Sequence, residues 1–196
     1  LVGTLLGPLF HHALQIGKLV RSETDLARHP ISVVNLAVAA LDKRPGAADL
    51  KIAVLGAGVM GKLLVRALHE AGHTPRWVVN RSLPPAVEAA QSCGAQALTL
   101  EQFRRDPPAL DVLVSATSAP GYVLEPDLLV SLAEKSPGGA GLQAIDLAVP
   151  RDLPGVDAAT VEVLCLDQLK ALADEHRALR LAAARDAERL VEKKID

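Results

Sequence analysis

A doubly wound α/β domain, its parallel sheet covered by helices on both faces, is predicted by three observations. Short apolar runs alternate with amphipathic segments between residues 51 and 166. The runs are almost continuously apolar, as strands buried on both faces must be. The first of them, Lys51-Ile-Ala-Val-Leu55, passes directly into Gly56-Ala57-Gly58-Val59-Met60-Gly61 and then into the amphipathic stretch Lys62 to Ala71. Strand, glycine turn and helix follow one another there in the order a dinucleotide site requires.

The elements are justified in order along the chain. Leu5, Leu6, Leu9, Phe10, Ala13, Leu14 and Gly17 recur at helical spacing, which predicts an amphipathic N-terminal helix towards Val20 that needs a partner surface. The polar stretch Ser22 to Pro30 ends it, and Ser32 is placed to cap a second apolar helix through Leu41. Pro45-Gly46 then turns the chain into the strand at Lys51. Further strands are expected near Arg76 to Val79, Gln96 to Thr99, Asp111 to Ser115, Leu142 to Leu147 and Val161 to Leu164. Helices are expected near Val59 to Ala71, Pro84 to Ser92 and Pro126 to Glu134. From Asp167 a long charged helix carries Leu169, Leu172, Leu179, Ala183, Ala187 and Leu190 on one stripe, with no Gly or Pro stop before Asp196. It either continues in a longer parent protein, packs on another subunit, or lies on the surface of its own domain.

Composition bounds the function classes. The 196 residues are 49% hydrophobic, enough for one good core with a small appendage. A formal net charge of −2 and the lack of a dense Lys/Arg run leave no electrostatic footprint for nucleic acid or an anionic membrane. No apolar stretch approaches the roughly 18 residues that span a bilayer, and no secretory signal opens the chain, so a soluble cytoplasmic location is expected. Cys93 and Cys165 match no metal or redox spacing. Cys93 is expected at a helix end and Cys165 as a buried strand residue, and neither sits in the electropositive, accessible setting a reactive thiol needs. The first residue is Leu1 rather than Met, and the opening reads as mid-helix, which suggests an excised piece of something longer.

Two look-alike motifs fail on chemistry. Gly56 to Lys62 has the spacing of a nucleoside-triphosphate phosphate loop, but Leu63 stands where Mg²⁺ needs a Ser or Thr hydroxyl. His69-Glu70-Ala71-Gly72-His73 matches His-Glu-x-x-His, a pattern that requires both imidazoles on one helical face. Gly72 is the left-handed residue that ends that helix, which leaves His73 in the turn beyond. His11 and His12 are adjacent and point to different sides, and His176 is packed or solvated; no metal site and no catalytic residue is expected.

The glycine turn does carry chemistry. Gly56 permits the tight turn, Gly58 lets the backbone approach a pyrophosphate, and Gly61 lets helix and strand pack closely, while Ala57, Val59 and Met60 present amides at the helix N-terminus. In an NAD site the second strand ends in Asp or Glu, which accepts the ribose hydroxyls. This chain has Trp77-Val-Val-Asn80-Arg81-Ser82 instead. Asn80 removes the carboxylate that would repel a 2′-phosphate, and Arg81 offers a planar, permanently charged donor set matched to phosphate. The expected cofactor is NADPH. Two polar turns fall at the carboxyl ends of later strands, Ser115-Ala-Thr117-Ser118-Ala-Pro120 and Asp146-Leu-Ala-Val-Pro150-Arg151-Asp152. Small residues and the Thr117 hydroxyl in the first would let a nicotinamide ribose lie close to the backbone, and Pro150 would fix the second. Ordinary turn chemistry explains both turns as well.

The order Lys18-Leu-Val20-Arg21-Ser-Glu-Thr24, Gly56 to Gly61, Asn80-Arg81-Ser82, Ser115-Ala-Thr117 and Asp146-Leu-Ala-Val-Pro150-Arg151-Asp152 resembles glutamyl-tRNA reductase over nearly the whole chain. The resemblance implies a Rossmann-type NADPH domain at 46–166, preceded at 1–45 by the helical tail of a catalytic domain and followed at 167–196 by the start of a spinal dimerisation helix. It also implies an oxidoreductase of tetrapyrrole (porphyrin) biosynthesis that reduces glutamyl-tRNA to glutamate-1-semialdehyde through a thioester on an N-domain cysteine. That cysteine and the glutamate-holding residues map to no position here, so this piece alone is expected to be inactive. Homodimerisation of the full-length protein and an association with glutamate-1-semialdehyde aminomutase are further implications. Val59 departs from the acidic residue the family often carries at that position. A free-standing NADP-binding or interaction module and a shikimate-dehydrogenase-like NADP domain stay open as alternatives, the latter sharing the Asn-Arg-Ser/Thr turn but not the Lys18 to Thr24 segment.

Overall fold

The computed structural model describes residues 6–23, 33–44, 49–171, 185, 188, 189 and 191. Two compact units divide the chain, one of residues 32–170 and one of residues 1–31 with 171–196. The larger unit holds a sheet of six strands, all parallel: β1 (Ile52–Leu55), β2 (Trp77–Asn80), β3 (Gln96–Thr99), β4 (Val112–Ser115), β5 (Leu142–Asp146) and β6 (Val161–Cys165). Their order across the sheet is β3-β2-β1-β4-β5-β6, so the chain winds outward from β1 in one direction and then crosses back to continue in the other. The point of reversal lies between β1 and β4, where open parallel sheets place their ligands.

The strands form where expected because they are buried on both faces. Ile52, Ala53, Val54 and Leu55 are at most 1% exposed, and β4 and β5 are buried throughout. Side chains alternate across the sheet. On one face Ala53, Leu55, Val79, Leu113 and Ala144 join a core completed by Phe103, Leu129, Leu132 and Leu153. The other face is covered by α3 (Val59–Glu70) and α4 (Leu83–Gln91), which contact β1 and β2 and bury Leu64, Val65, Leu68 and Ala86. Each large apolar side chain removed from water in this way contributes about 1.5–3 kcal/mol before chain entropy is counted.

α6 (Pro126–Glu134) has the expected bounds. α2 (Val33–Asp42) packs on α3 and is fastened by a buried His73, whose Nε2 lies 2.6 Å from Asp42 Oδ1. α5 (Leu100–Arg105) adds to the expected elements, and its signal is local: Thr99 and Gln102 form a reciprocal capping box, each side chain bonded to the other's backbone amide. Cys165 corrects an expectation, being half-buried at the end of β6 rather than buried, because β6 is an edge strand with only β5 beside it. Cys93 follows the end of α4 as expected.

In the smaller unit α1 (Leu6–Glu23) is the long described element, and Leu6, Leu9, Phe10 and Leu14 are at least half exposed along it. The proposed cap Ser32, the turn Pro45-Gly46, His176 and most of the C-terminal helical stripe lie outside the described residues. No described helix is long and apolar enough to cross a membrane.

Candidate functional site

The glycine turn between β1 and α3 is built by steric necessity. Gly56 has φ +107°, and a Cβ there would lie 2.6 Å from the Ala116 carbonyl oxygen on the neighbouring strand's exit. A Cβ on Gly61 would lie 1.9 Å from the Gly56 carbonyl oxygen, so no larger residue lets α3 start this close to β1. Gly58 is different: it has ordinary φ, and a Cβ there would meet nothing within 4 Å. It opens onto a cleft of about 550 Å³. Val59, Met60 and Gly61 form the first turn of α3, where backbone N–H groups have no intrahelical acceptor and carry the positive end of the helix dipole.

That cleft brings together every residue proposed from sequence except Gly61, which packs behind the turn. Its walls include Gly56, Ala57, Gly58, Val59 and Met60 from the glycine turn, Asn80, Arg81 and Ser82 from the end of β2, and Thr117 after β4. Asn80 acts as a brace: its Oδ1 accepts from the Ala57 amide at 3.3 Å, and its Nδ2 donates to the Ser82 carbonyl at 3.0 Å. The side chain therefore locks the β2 exit to the glycine turn, leaving the exposed Arg81 guanidinium and Ser82 hydroxyl at the rim. Thr117 is also engaged. Its hydroxyl donates to Asp152 Oδ1 and accepts from the Ala119 amide at 3.1 Å, so it is a loop organiser rather than a free donor.

Asp152, named in sequence only as the end of a turn, organises the wall of the cleft. It is fully buried and accepts from the Ser115 hydroxyl at 2.6 Å and the Thr117 amide at 2.8 Å. Asp146, almost as deeply buried, accepts from the amides of Ala148 at 3.0 Å and Leu153 at 3.0 Å. Burial pushes the Asp146 carboxyl above its ordinary range, and the nearby Asp152 charge adds to this against the amide bonds from Leu153, Ala148 and Asp152. The motif from Asp146 to Asp152 thus folds its own loop, through a cis Val149–Pro150 peptide, and hands one carboxylate to the loop after β4. The Asp152 carboxylate reaches Thr117 across 35 residues, a pairing with no local signal.

Lys62 Nζ is 2.6 Å from Glu88 Oε1 on α4. Gly72 has φ +88°, and beyond it His73 turns inward to Asp42 while His69 Nδ1 lies 3.2 Å from Thr74 Oγ1. No group of three metal-ligating side chains occurs among the described residues. Neither Cys93 nor Cys165 lines the cleft.

The profile of the shikimate / quinate 5-dehydrogenase family matches residues 38–172, more than half of the chain. The chain belongs to that family. Over the whole length of this chain the likeness is to glutamyl-tRNA reductases. The enzyme of Methanococcoides burtonii is 35% identical over 198 aligned residues, covering 100% of this chain and 46% of the relative. That of Syntrophus aciditrophicus is 37% identical, covering 98% and 46%. The solved glutamyl-tRNA reductase of Methanopyrus kandleri superposes with TM-score 0.78 at 31% identity, over 98% of this chain and 49% of that one. The match to the dehydrogenase family begins at residue 38, after the Lys18 to Thr24 segment, whereas the reductase alignments span it. The chain spans about half the length of the curated relatives it matches.

Proposed function

We propose that this chain is the NADPH-binding part of a glutamyl-tRNA reductase, an enzyme that reduces glutamyl-tRNA to glutamate-1-semialdehyde for tetrapyrrole synthesis. The observation that carries the cofactor assignment is the convergence of the glycine turn and Asn80-Arg81-Ser82 on one cleft, with no carboxylate at the end of β2. The residues fit the group: Gly58 leaves open space where a diphosphate would approach the first amides of α3, and Arg81 is exposed at the rim, where a 2′-phosphate would lie. When bound, NADPH supplies a hydride; the chain's own residues bind and orient it. Thr117, held by Asp152, shapes the wall on the side where the nicotinamide ribose is proposed to lie.

In this reading residues 46–166 form the NADPH domain, residues 1–45 the tail of a catalytic domain, and residues 167–196 the start of a dimerisation helix. The thiol chemistry and the grip on glutamyl-tRNA reside in parts of the relatives that this chain does not span, as would homodimer contacts and any association with the aminomutase that uses the product. The chain by itself is proposed to bind cofactor and turn over nothing, in the cytoplasm.

The test is a calorimetric titration of the chain and of Arg81→Ala with NADPH and NADH. A charge-assisted bond of about 1.5–3 kcal/mol predicts a ten- to hundredfold loss for NADPH in the variant, with NADH spared. Equal loss for both cofactors overturns the Arg81 assignment. The family match from residue 38 favours a second reading, a shikimate-dehydrogenase-like NADP domain, which shikimate-dependent NADP reduction by the complete polypeptide would support.

A further inference from the structure

A second recess opens beside the cofactor cleft, lined by Arg81, Leu100, Glu101, Arg104 and Arg105. Arg81 and Leu100 line both, so the two adjoin at the residue proposed for the 2′-phosphate. A phosphate monoester carries about 1.5 to 2 negative charges at neutral pH, more than one guanidinium neutralises. The neighbouring helix end is poorly placed to help: Pro84 and Pro85 occupy the first turn of α4 and have no N–H to donate.

The missing charge is on α5. Its capping box fixes the N-terminus, and the fully buried Phe103 anchors its inner face. Arg104 donates from Nη2 to the Val123 carbonyl oxygen and is held in the structure. Arg105 is exposed and, among the described residues, forms no hydrogen bond or ion pair, with Glu101 or with any other group.

We propose that Arg105 is a specificity-determining residue, the second cation of the 2′-phosphate subsite, with Arg81 and Arg105 facing the phosphate across this recess and Arg104 adding its charge from behind. The inference rests on the NADPH reading above. It is tested with 2′,5′-ADP and 5′-AMP, which differ only in the phosphate concerned, titrated calorimetrically into the chain and into Arg105→Gln, Arg105→Lys and Arg81→Ala. Arg105→Gln should weaken 2′,5′-ADP about tenfold and leave 5′-AMP unchanged, with Arg105→Lys recovering much of the loss, because the bond is charge-assisted and partly screened at the surface. If Arg105→Gln binds 2′,5′-ADP as the unaltered chain does while Arg81→Ala loses it, the role of Arg105 is overturned and the NADPH reading stands. If the unaltered chain binds both nucleotides alike, the NADPH reading falls and this inference with it. A parallel loss of 5′-AMP in Arg105→Gln also overturns the proposal, since it would mark a general effect on the cleft.

Discussion

Asp152 receives both the backbone amide and the hydroxyl of Thr117, one on each carboxylate oxygen, and it does so from a fully buried position. One side chain therefore fixes the loop after β4, which forms a wall of the cleft, to the loop after β5. Ser115 adds a third donor at 2.6 Å, so all of the carboxylate's close partners lie on the β4 exit.

Asp152→Asn should be costly for that reason. An amide cannot accept on both sides, and at least one of the Thr117 and Ser115 donors loses its acceptor, at about 1–3 kcal/mol for a buried unsatisfied group. The expected result is a lower melting temperature together with weaker NADPH binding. Arg81→Ala, by contrast, should change binding and leave the melting temperature in place.

The glycines separate fold from function. Gly61→Ala puts a methyl 1.9 Å from the Gly56 carbonyl oxygen and should displace the start of α3, lowering thermal stability and cofactor affinity together. Gly58→Ala meets nothing in the protein and should leave the melting temperature nearly unchanged, while its methyl intrudes where the diphosphate is proposed to approach. Thermal melts paired with NADPH titrations of the two variants check this, and a Gly58→Ala protein with full affinity would place the diphosphate elsewhere.

Two buried acids should give opposite pH dependences. Asp111 suffers a burial penalty, but bonds from the Ser136 hydroxyl, the amides of Lys51 and Gly138, and the Arg44 charge outweigh it, so its carboxyl lies below the ordinary range. Its stabilisation is present above the unfolded value of about 3.9 and is lost as pH falls through the folded value. For Asp146 the folded value is raised, so its contribution is fully present below about 3.9 and is lost as pH rises through the folded value. Urea unfolding between about pH 3 and 7 should show the advantage of the unaltered chain over Asp111→Asn shrinking with acid, and that over Asp146→Asn growing.

His73 belongs to packing, not to metal. Zn²⁺ should leave the melting temperature of the chain unchanged, and His73→Ala should lower it by loosening α2 from α3 through the lost contact with Asp42. A zinc-dependent rise in melting temperature that disappears in His73→Ala would reverse this assignment.

Much of this protein was written locally. Short apolar runs alternating with amphipathic segments carry the pattern of strands buried on both faces, and Gly56, Gly58 and Gly61 encode a turn through what a Cβ would strike or leave open. Asn80-Arg81-Ser82 sets an amide, a guanidinium and a hydroxyl in three adjacent residues at the end of β2. Local signals also sufficed for α5, had the reciprocal Thr99 and Gln102 cap been weighed.

What no local pattern could supply was contact between distant segments. The partnership of Asp152 with Ser115 and Thr117, that of His73 with Asp42, and the placing of Arg81 and Arg105 on one recess depend on which strands become neighbours. Side-chain periodicity and turn chemistry act over a few residues and are legible in sequence. The strand order that sets β5 beside β4, and α5 beside the exit of β2, is decided by the packing of the whole sheet, and only there do the buried carboxylates acquire their partners.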